Sequence, residues 1–377
     1  MRVLYDYRIF SLQRYGGISR YFYELIKAIL QLKEKDIELF LFEGLYVNEY
    51  KLNKLKYSNF NYWGYKRPYI KKTGRIVSLL NNIIFYLYRY NNNFKNKKIV
   101  YHPTYYDVNI KKPYPENRII ITVYDMILEK FPQYFPYCDK ELAKKQRTIK
   151  IADDIICISN NTKKDLLQYY DLDEGKIHVV YIGSNLEIKQ VTENEYSRYK
   201  NKKPFILFVG KRGNYKNFTV LLDSYYYGKF YRDFDLICFG GDNFNEDELQ
   251  CITNYNLEKN IHLLTGGDEM LIILYKNASC LVYPSRYEGF GIPVLEAMKL
   301  RCPVIASNSS SIPEIAGNAA LLFNSENRDE LINKLNELLG NHRKRKSLIR
   351  AGLKQSKKFS WAKTAEQTID IYRNLFR

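Results

Sequence analysis

Short apolar runs alternate with amphipathic segments along most of the chain. Runs typical of buried strands lie at 2–5, 37–42, 118–123, 154–159, 177–182, 204–210, 234–241, 279–283 and 303–307. Most of the segments between them have apolar residues spaced i, i+3, i+4, as in 18–30, which is typical of helices packed on one face. Strands that are apolar on both faces and separated by helices form covered parallel sheets. The pattern predicts an α/β chain with doubly wound parallel sheets.

A polar stretch at 183–203 without clear periodicity divides this pattern and predicts a linker. The chain has 377 residues, which is room for two domains of about 100–200 residues each. We therefore predict a first Rossmann-like domain over 1–185 and a second over 186–361. The last amphipathic segment predicts a helix with Ser360 as its N-cap. In two open α/β domains the expected ligand site is the cleft at the carboxyl ends of the strands.

The segment 283–296, Y-P-S-R-Y-E-G-F-G-I-P-V-L-E, carries the clearest chemistry. A strand leads into a Gly-Phe-Gly turn, in which Gly289 and Gly291 are expected to adopt positive φ and let a ligand approach. A helix then begins at a proline, and its free N–H groups favour an anion. Glu288 and Glu296 would accept hydrogen bonds from sugar hydroxyls. The pattern indicates a ligand with phosphate and hydroxyl groups, with a capped core helix as the alternative.

Two other segments of the second domain follow strands. Arg212 and Lys216 come just after the strand 204–210, where two cations could neutralise a diphosphate leaving group. A solvated basic turn is the alternative interpretation. The serine-rich segment 307–317 predicts side-chain capping of a short helix, with a loop contact to a ligand as the second interpretation.

Polar residues also follow strands in the first domain. Gly16 and Gly17 precede a helical pattern and form a candidate phosphate or sugar loop, although such a pair is more often a turn. Asp125 lies beyond the strand 118–123, and His102 follows an apolar run. Either side chain could orient an acceptor hydroxyl or the sugar, but a lone histidine is more often a structural hydrogen-bonding residue.

Charge singles out one region. The net charge is +18, and residues 51–100 contain twelve Lys or Arg, no Asp or Glu, and many aromatic residues. Basic and aromatic residues together suit an anionic membrane surface and, less well, single-stranded nucleic acid. The Lys-, Asn- and Tyr-rich composition of the whole chain is the plain alternative. We predict an anionic membrane surface as the partner of this region, and no nucleic acid.

Cysteine and histidine spacing indicates neither disulfides nor a metal site. The six cysteines form no C-x-x-C pair, and the four histidines do not pair at metal-ligand spacing, so reduced, buried cysteines are expected. No apolar run is long enough to span a bilayer. The chain begins directly as a strand, so no secretory signal is expected. These features predict a cytoplasmic location.

The motifs resemble those of glycosyltransferase family 4, the retaining, nucleotide-sugar-dependent enzymes of GT-B architecture found in bacterial surface-polysaccharide synthesis. The similar segments are 15–25, 102–106, 122–127, 155–166, 208–217, 284–298 and 309–317. Glu288 and Glu296 match that family's Glu-(x)7-Glu signature, which is far more specific than any single segment.

This resemblance implies roles for the candidate residues. Glu288 would contact the donor sugar, Glu296 the ribose, and Arg212 with Lys216 the diphosphate. Groups implied in the donor pocket also include Gly16, Gly17, Gly210, Gly289, Phe290 and Gly291. The implied catalytic set is Glu288, Asp125, Arg212 and Lys216. The segment 362–377 would pack back on the first domain.

One position departs from the family pattern. Related sequences often read V-H-D-M where this chain has Val123-Tyr124-Asp125-Met126. A tyrosine donates a hydrogen bond but is a poor base at neutral pH, because its usual pKa is near 10. Retaining front-side transfer does not need that base, since the leaving phosphate can take the acceptor's proton. Tyr124 and His102 are kept as candidate contacts to the acceptor or sugar.

The implied function is transfer of a hexose from a nucleotide-diphosphate sugar, with GDP-mannose preferred over a UDP-sugar, to a lipid-linked saccharide acceptor in O-antigen, capsule or lipopolysaccharide synthesis. The resemblance implies retention, no metal and no cofactor, at the inner face of the membrane. Two alternatives stay open: an epimerase or hydrolase of GT-B architecture acting on nucleotide sugars, and a non-enzymatic protein that binds membranes or nucleic acid.

Overall fold

A computed structural model of the chain describes residues 1–70, 73–92, 94, 97–107, 109–110, 117–186 and 203–376. The chain divides into two compact units: unit 1 is Met1–Gly183 with Ser360–Arg377, and unit 2 is Ser184–Phe359. The predicted boundaries after 185 and 361 each lie two residues beyond these divisions. Most of the predicted linker lies outside the described residues.

Unit 1 is built on a seven-stranded sheet whose neighbouring strands all pair in parallel. Its strands are β1 Arg2–Tyr5, β2 Glu38–Tyr46, β3 Phe60–Lys66, β4 Ile99–His102, β5 Arg118–Val123, β6 Asp154–Cys157 and β7 Ile177–Val179. They are arranged in the order β3-β2-β1-β4-β5-β6-β7. Its helices are α1 Arg8–Leu12, α2 Gly17–Leu32, α3 Gly74–Asn91, α4 Ile127–Lys130, α5 Asp139–Ile151 and α6 Asn160–Tyr169.

Unit 2 is built on a six-stranded parallel sheet in the order β10-β9-β8-β11-β12-β13. Its strands are β8 Phe205–Val209, β9 Asp235–Phe239, β10 Ile261–Leu264, β11 Cys280–Tyr283, β12 Val304–Ser307 and β13 Ala320–Phe323. Its helices are α7 Phe218–Tyr227, α8 Glu246–Asn254, α9 Asp268–Asn277, α10 Ile292–Lys299, α11 Ile312–Ala316, α12 Arg328–Leu339 and α13 His342–Ser356.

Strand β8 shows why the apolar runs fold this way. All five of its residues are buried. Phe205, Leu207 and Val209 belong to one apolar cluster, whereas Ile206 and Phe208 belong to a second. Because successive side chains of a strand point to opposite faces, both faces of the sheet are covered. The predicted doubly wound parallel architecture is confirmed.

The last helix, α14 Trp361–Asn374, belongs to unit 1. Ser360 caps it, since its hydroxyl accepts a hydrogen bond of 3.3 Å from the Lys363 N–H, as the sequence predicts. At the other end, the Tyr372 hydroxyl lies 3.0 Å from the Tyr5 hydroxyl at the end of β1. Helix α14 thereby completes the cover of the first sheet.

Several expectations need correction or completion. Strands β3, β10 and β13 are absent from the predicted set. All six cysteines are free, but Cys138 and Cys251 are only partly buried, because each lies near the surface end of a helix. Within the described ranges, no group of three or more His, Cys, Asp or Glu could hold a metal ion. No helix in the described part of the chain combines the length and apolar character that crossing a bilayer requires.

Candidate functional site

The crevice of unit 2 is set by the order of its strands. Strands β8 and β11 are neighbours, but the chain reaches β9 and β10 on one side before it crosses to β11 on the other. Loops that leave two such strands diverge and open a crevice at the carboxyl edge of the sheet. The loop after β8 contains Arg212 and Lys216, and the loop after β11 contains Glu288. The fold therefore brings these predicted residues to one edge.

An ion pair joins the two loops. The Nζ atom of Lys216 lies 2.6 Å from Oε1 of Glu288, and the two side chains are 17% and 12% exposed. Backbone contact supports the pair, because the Arg286 N–H donates to the Tyr215 carbonyl at 2.7 Å. A cation and a carboxylate are thus held side by side where a ligand can still reach them.

Two serines after β12 fix the backbone of Glu288. The Glu288 N–H donates to Oγ of Ser310 at 2.8 Å, and the Ser311 hydroxyl donates to the Glu288 carbonyl at 2.8 Å. Ser311 is the N-cap residue of α11 but makes no side-chain capping bond. The predicted capping role is therefore wrong for Ser311, because its hydroxyl is used to hold Glu288.

Lys216 sits in an environment of mixed effect. Burial is the largest single effect and lowers the pKa of its ammonium group. The Glu288 carboxylate, together with Tyr283 and Tyr215, outweighs it, and the outcome is a pKa above the usual value. The Nζ atom also lies 5.7 Å from the ring centre of Tyr283 and 5.1 Å from that of Tyr215. Lys216 is consequently charged at any physiological pH.

Glycines shape both loops. Gly291 has a φ of 100° and is the N-cap of α10, as expected, with the predicted proline in the first turn. Gly289, by contrast, is not among the glycines with positive φ in the described part of the chain. Gly210 has a φ of 119° with open space around it, so its backbone conformation rather than crowding requires glycine.

The remaining members of the predicted donor pocket are buried. Glu296 is 4% exposed, and its Oε2 accepts a hydrogen bond of 3.3 Å from the Tyr275 hydroxyl. Phe290 is also buried, with its ring 5.8 Å from that of Phe359. The ring of Phe290 therefore belongs to the core of unit 2.

Arg212 is a buried structural link as well as a candidate ligand contact. Its guanidinium donates to the carboxylate of Glu248 at 3.3 Å and to the carbonyls of Gly240 and Asp242. It also lies 4.6 Å from the ring centre of Phe244. These contacts overturn the alternative of a solvated basic turn. Of the three basic residues in this loop, Lys211 is the one that is solvent-exposed.

Sequence reasoning missed several residues that build this edge. Asn217 has a φ of 56°, and its side chain donates to the carbonyls of Pro284 and Ser325. Gly240 and Gly241 both have positive φ, and a Cβ on Gly241 would come within 3.1 Å of the Gly210 carbonyl. The Gly-Gly pair directly after a strand was a usable signal. Asn217 offered none.

In unit 1, helix α2 begins at Gly17, the second glycine of the pair that was predicted to precede a helix. Gly16 is its N-cap residue with extended backbone, and a Cβ there would collide with the side chain of Gln13. The amide oxygen of Gln13 accepts a hydrogen bond of 3.2 Å from the Ser19 N–H. One free N–H group of the helix start is therefore already used, whereas Gly17 has open space around its Cα.

His102 needs correction as a contact to acceptor or sugar. It is fully buried, its Nδ1 lies 2.6 Å from the Tyr372 hydroxyl, and its Nε2 lies 3.0 Å from Oγ1 of Thr122. Burial lowers the pKa of His102 to about 3. Both ring nitrogens are engaged inside the protein, so this histidine is a structural hydrogen-bonding residue.

Asp125 and Tyr124 differ in access. Asp125 is partly exposed, its carboxylate accepts from the Ile127 N–H at 3.1 Å, and its carbonyl accepts from Lys145 at 2.7 Å. Tyr124 is buried edge-to-face against Tyr21, with ring centres 5.4 Å apart. Burial raises the pKa of Tyr124 well above its usual value. Tyr124 is consequently no base at neutral pH, whereas Asp125 keeps an open side.

Comparisons with known proteins agree with this architecture. The fold is similar to sucrose-phosphate synthase from Thermosynechococcus elongatus, with a TM-score of 0.73 and 18% identity over 100% of this chain and 99% of that one. It is also similar to HepE of Anabaena in complex with UDP-glucose, with a TM-score of 0.70 and 16% identity over 99% and 100% of the two chains. The fold is that of the GT-B glycosyltransferases.

The sequence comparisons are more specific. Residues 191–355 match the family described as "Glycosyl transferases group 1", so unit 2 carries such a domain and the chain is a glycosyltransferase. The resemblance predicted from the motifs is confirmed. The chain is 28% identical over 285 residues to O-antigen chain mannosyltransferase B of Escherichia coli, which covers 72% of this chain and 74% of that protein. It is 25% identical to serotype-specific mannosyltransferase WbdA of Escherichia coli, of which it spans only 31%, with 65% of this chain covered.

Proposed function

We propose that this glycosyltransferase transfers a hexose, with mannose preferred, from a nucleoside-diphosphate sugar to a lipid-linked saccharide in bacterial surface-polysaccharide synthesis. Two of its relatives are an O-antigen chain mannosyltransferase and a serotype-specific mannosyltransferase, which supports mannose. The nucleotide carrier of the donor sugar is GDP in this proposal, although a structural neighbour has been solved with UDP-glucose. An O-antigen, capsule or lipopolysaccharide precursor is the acceptor.

The observation that carries the proposal is the Lys216–Glu288 pair at the carboxyl edge of β8 and β11. A nucleotide sugar has a diphosphate that needs positive charge and a sugar whose hydroxyls donate hydrogen bonds. Lys216 supplies the positive charge for the diphosphate, and Glu288 accepts hydrogen bonds from the sugar hydroxyls. The two side chains lie within ion-pair distance of each other. The bond between diphosphate and sugar would then lie beside this pair.

Transfer with retention is part of this proposal, as the family resemblance implies. The acceptor oxygen attacks the anomeric carbon on the face from which the diphosphate leaves, so one C–O bond forms as the other breaks. The hydroxyl proton passes to the leaving phosphate oxygen. Lys216, aided by Arg212, stabilises the charge that develops on the phosphate. The proposal includes neither a metal nor a cofactor, because these side chains supply the charge. Tyr124 is not required as a base, since the leaving phosphate takes the acceptor's proton.

The proposed acceptor places the enzyme at the inner, cytoplasmic face of a membrane as a peripheral protein. The region 51–100 supports this part, since its twelve Lys or Arg face no Asp or Glu within the region. Each basic residue near an anionic surface is worth about 1 kcal/mol of attraction. Nucleic acid has no part in the proposal.

Replacement of Glu288 tests the site. Glu288→Ala and Glu288→Gln should abolish transfer from GDP-mannose to a lipid-linked acceptor while the circular dichroism spectrum stays native. The matched control is Glu326→Ala, which removes an equally short but exposed ion pair with Arg286 and should leave turnover unchanged. Undiminished turnover in Glu288→Ala would contradict the assignment.

The donor and the rival reactions need separate measurements. A thermal-shift panel of GDP, UDP and ADP identifies the nucleotide, since a ligand at a hundred times its Kd stabilises the folded state by about 2.7 kcal/mol. Incubation with the nucleotide sugar alone distinguishes transfer from epimerisation or hydrolysis. Complete conversion of the donor without an acceptor would favour those reactions over transfer.

A further inference from the structure

Helix α3 turns a continuous apolar face to solvent. Seven of its large apolar residues are between 43% and 72% exposed: Ile76, Leu79, Leu80, Ile83, Tyr86, Leu87 and Tyr90. Their spacing of three, four and seven residues places them on one side of the helix. A surface helix ordinarily presents polar residues there, so this face is the reverse of the expected pattern.

The opposite face of α3 is firmly attached to unit 1. The Phe85 ring lies 5.2 Å from that of Phe42 in β2. The Asn81 side chain accepts from the Leu45 N–H at 2.7 Å and donates to the Leu45 carbonyl at 3.3 Å. Asn81 and Val77 are buried beside it. Because the inward face is satisfied, rotation of the helix cannot hide the outward one.

Charge indicates what covers the exposed face. The region 51–100 that contains α3 carries twelve basic residues and no acidic one. Arg75 is exposed at the start of the helix, and the Arg89 guanidinium lies over the rings of Phe85 and Tyr86. A second copy of this chain would bring two such basic regions together at a cost in repulsion. An anionic surface would gain attraction.

Further exposed apolar and aromatic residues precede α3 in the same basic region. Tyr65 in β3, Tyr69 and Ile70 are each more than half exposed. Tyrosines are enriched where a protein meets the headgroup level of a bilayer, because their rings are apolar and their hydroxyls polar. The exposed aliphatic residues therefore suit the acyl region of an anionic lipid surface, and the neighbouring tyrosines and arginines suit its headgroup level.

We propose that α3 lies in the plane of an anionic lipid surface and inserts its exposed face below the headgroups. This inference rests on the membrane association proposed above and deepens it, since it assigns a helix and an insertion step to what charge alone would make simple adsorption. Leu79, Ile83 and Leu87 enter the acyl region, with Tyr86 and Tyr90 at the headgroups. From Ile76 to Tyr90 the inserted face is about 21 Å long, at 1.5 Å per residue.

Insertion and adsorption respond differently to salt. Adsorption through exposed charges is screened over about 8–10 Å at physiological ionic strength. Burial of apolar side chains is not screened and is strengthened by excluded salts. Part of the binding to anionic vesicles should therefore persist at high salt. The binding that high salt removes should come from charged residues such as Arg75.

Vesicle flotation tests the inference. The probe is a vesicle of equal parts phosphatidylglycerol and phosphatidylcholine, compared with phosphatidylcholine alone. Leu79→Gln with Ile83→Gln should weaken binding about a hundredfold, since each buried aliphatic side chain is worth about tenfold. The matched control is Leu249→Gln in α8, which is also half exposed and should bind as the wild type does. In a second readout, brominated acyl chains should quench the emission of Leu87→Trp more than that of the wild type.

Three results would overturn the inference: equal weakening by Leu249→Gln, complete release of the wild type at high salt, or unquenched Leu87→Trp. A wild-type dimer that the double variant converts to monomers, with vesicle binding unchanged, would also overturn it, because the face would then belong to a second copy. Vesicle binding needs no donor or acceptor. If the enzyme transfers sugar from none of the donors tested, the proposed function is wrong. Flotation still tests the docking of α3 in that case.

Discussion

Each unit holds an acid and a base near the carboxyl edge of its sheet, and the two pairs are built differently. In unit 1, Asp6 and Arg8 follow β1 and are both buried. Asp6 also accepts hydrogen bonds from the Tyr101 hydroxyl at 2.6 Å and from the Thr104 hydroxyl at 2.8 Å. In unit 2, Lys216 and Glu288 keep part of their surface open.

The difference teaches which strand-end charges to regard as functional. A fully enclosed carboxylate with several donors is a structural element, because removal of any partner leaves a buried charge. A pair that is held by backbone contacts but still partly exposed can exchange one partner for a ligand. His102 belongs with the first kind, since burial and two hydrogen bonds close it off.

The largest expected effect is on the stability of unit 1. Asp6→Ala should lower the free energy of unfolding by about 3–5 kcal/mol. Buried Arg8 keeps only the ion pair with Asp107 at 3.3 Å, and the Tyr101 and Thr104 hydroxyls lose their acceptor. The measurement is the midpoint of thermal unfolding against that of Asp329→Ala, which removes an exposed pair with Arg328 and should change stability by about 0.5 kcal/mol or less. Similar values for both variants would erase the contrast between the pairs.

The next effect is on turnover in unit 2. Lys216→Met should slow transfer about 100–1000-fold, as loss of one preorganised charge does in other enzymes. Stability should fall much less than in Asp6→Ala, since Glu288 can turn toward solvent. Steady-state kinetics and melting temperature on the same preparations separate the two quantities. Lys211→Met, which removes an exposed neighbour, is the control, and a matching loss in that variant would mean that general charge rather than the pair matters.

The smallest effect is a pH dependence from His102. Its pKa is about 3 in the folded state against about 6.5 in unfolded chains. Its stabilising contribution is complete above pH 6.5 and is lost as the pH falls toward 3, because only the unfolded state then binds the proton. The slope is up to about 1.4 kcal/mol per pH unit. Melting temperatures at pH 7.5 and 5 should diverge more in the wild type than in His102→Gln, and equal divergence would assign the slope to other groups.

Periodicity was enough to predict most of the fold. Strand β8 is an unbroken apolar run and every one of its residues is buried, so its sequence pattern matches its environment directly. Strand β3 reads F-N-Y-W-G-Y-K and lies at the edge of its sheet with half-exposed residues. Because it contains polar residues and a glycine, β3 is not a continuous apolar run and was not predicted as a buried strand. By sequence, this segment is only part of the basic and aromatic region 51–100.

The candidate site was less accessible to the sequence. Glu288, Arg212 and Lys216 could be named because each follows a strand that the pattern predicts. The serines that hold the Glu288 backbone follow β12, and their partners are more than twenty positions away. Contacts between distant loops depend on how strands are ordered in the sheet, which a local pattern does not contain. Burial of His102 likewise depends on α14, some 270 residues later.

The position of α14 has a consequence for the order of synthesis. The Tyr5 and Tyr372 hydroxyls that meet in unit 1 are 367 residues apart, whereas unit 2 is one continuous stretch of chain. On a ribosome, unit 2 emerges complete while β1 still lacks its final cover. At about 5–20 residues per second, that wait lasts roughly 20–70 s. During this time the apolar surface beneath α14 is exposed, so the nascent first unit is where a chaperone would be needed.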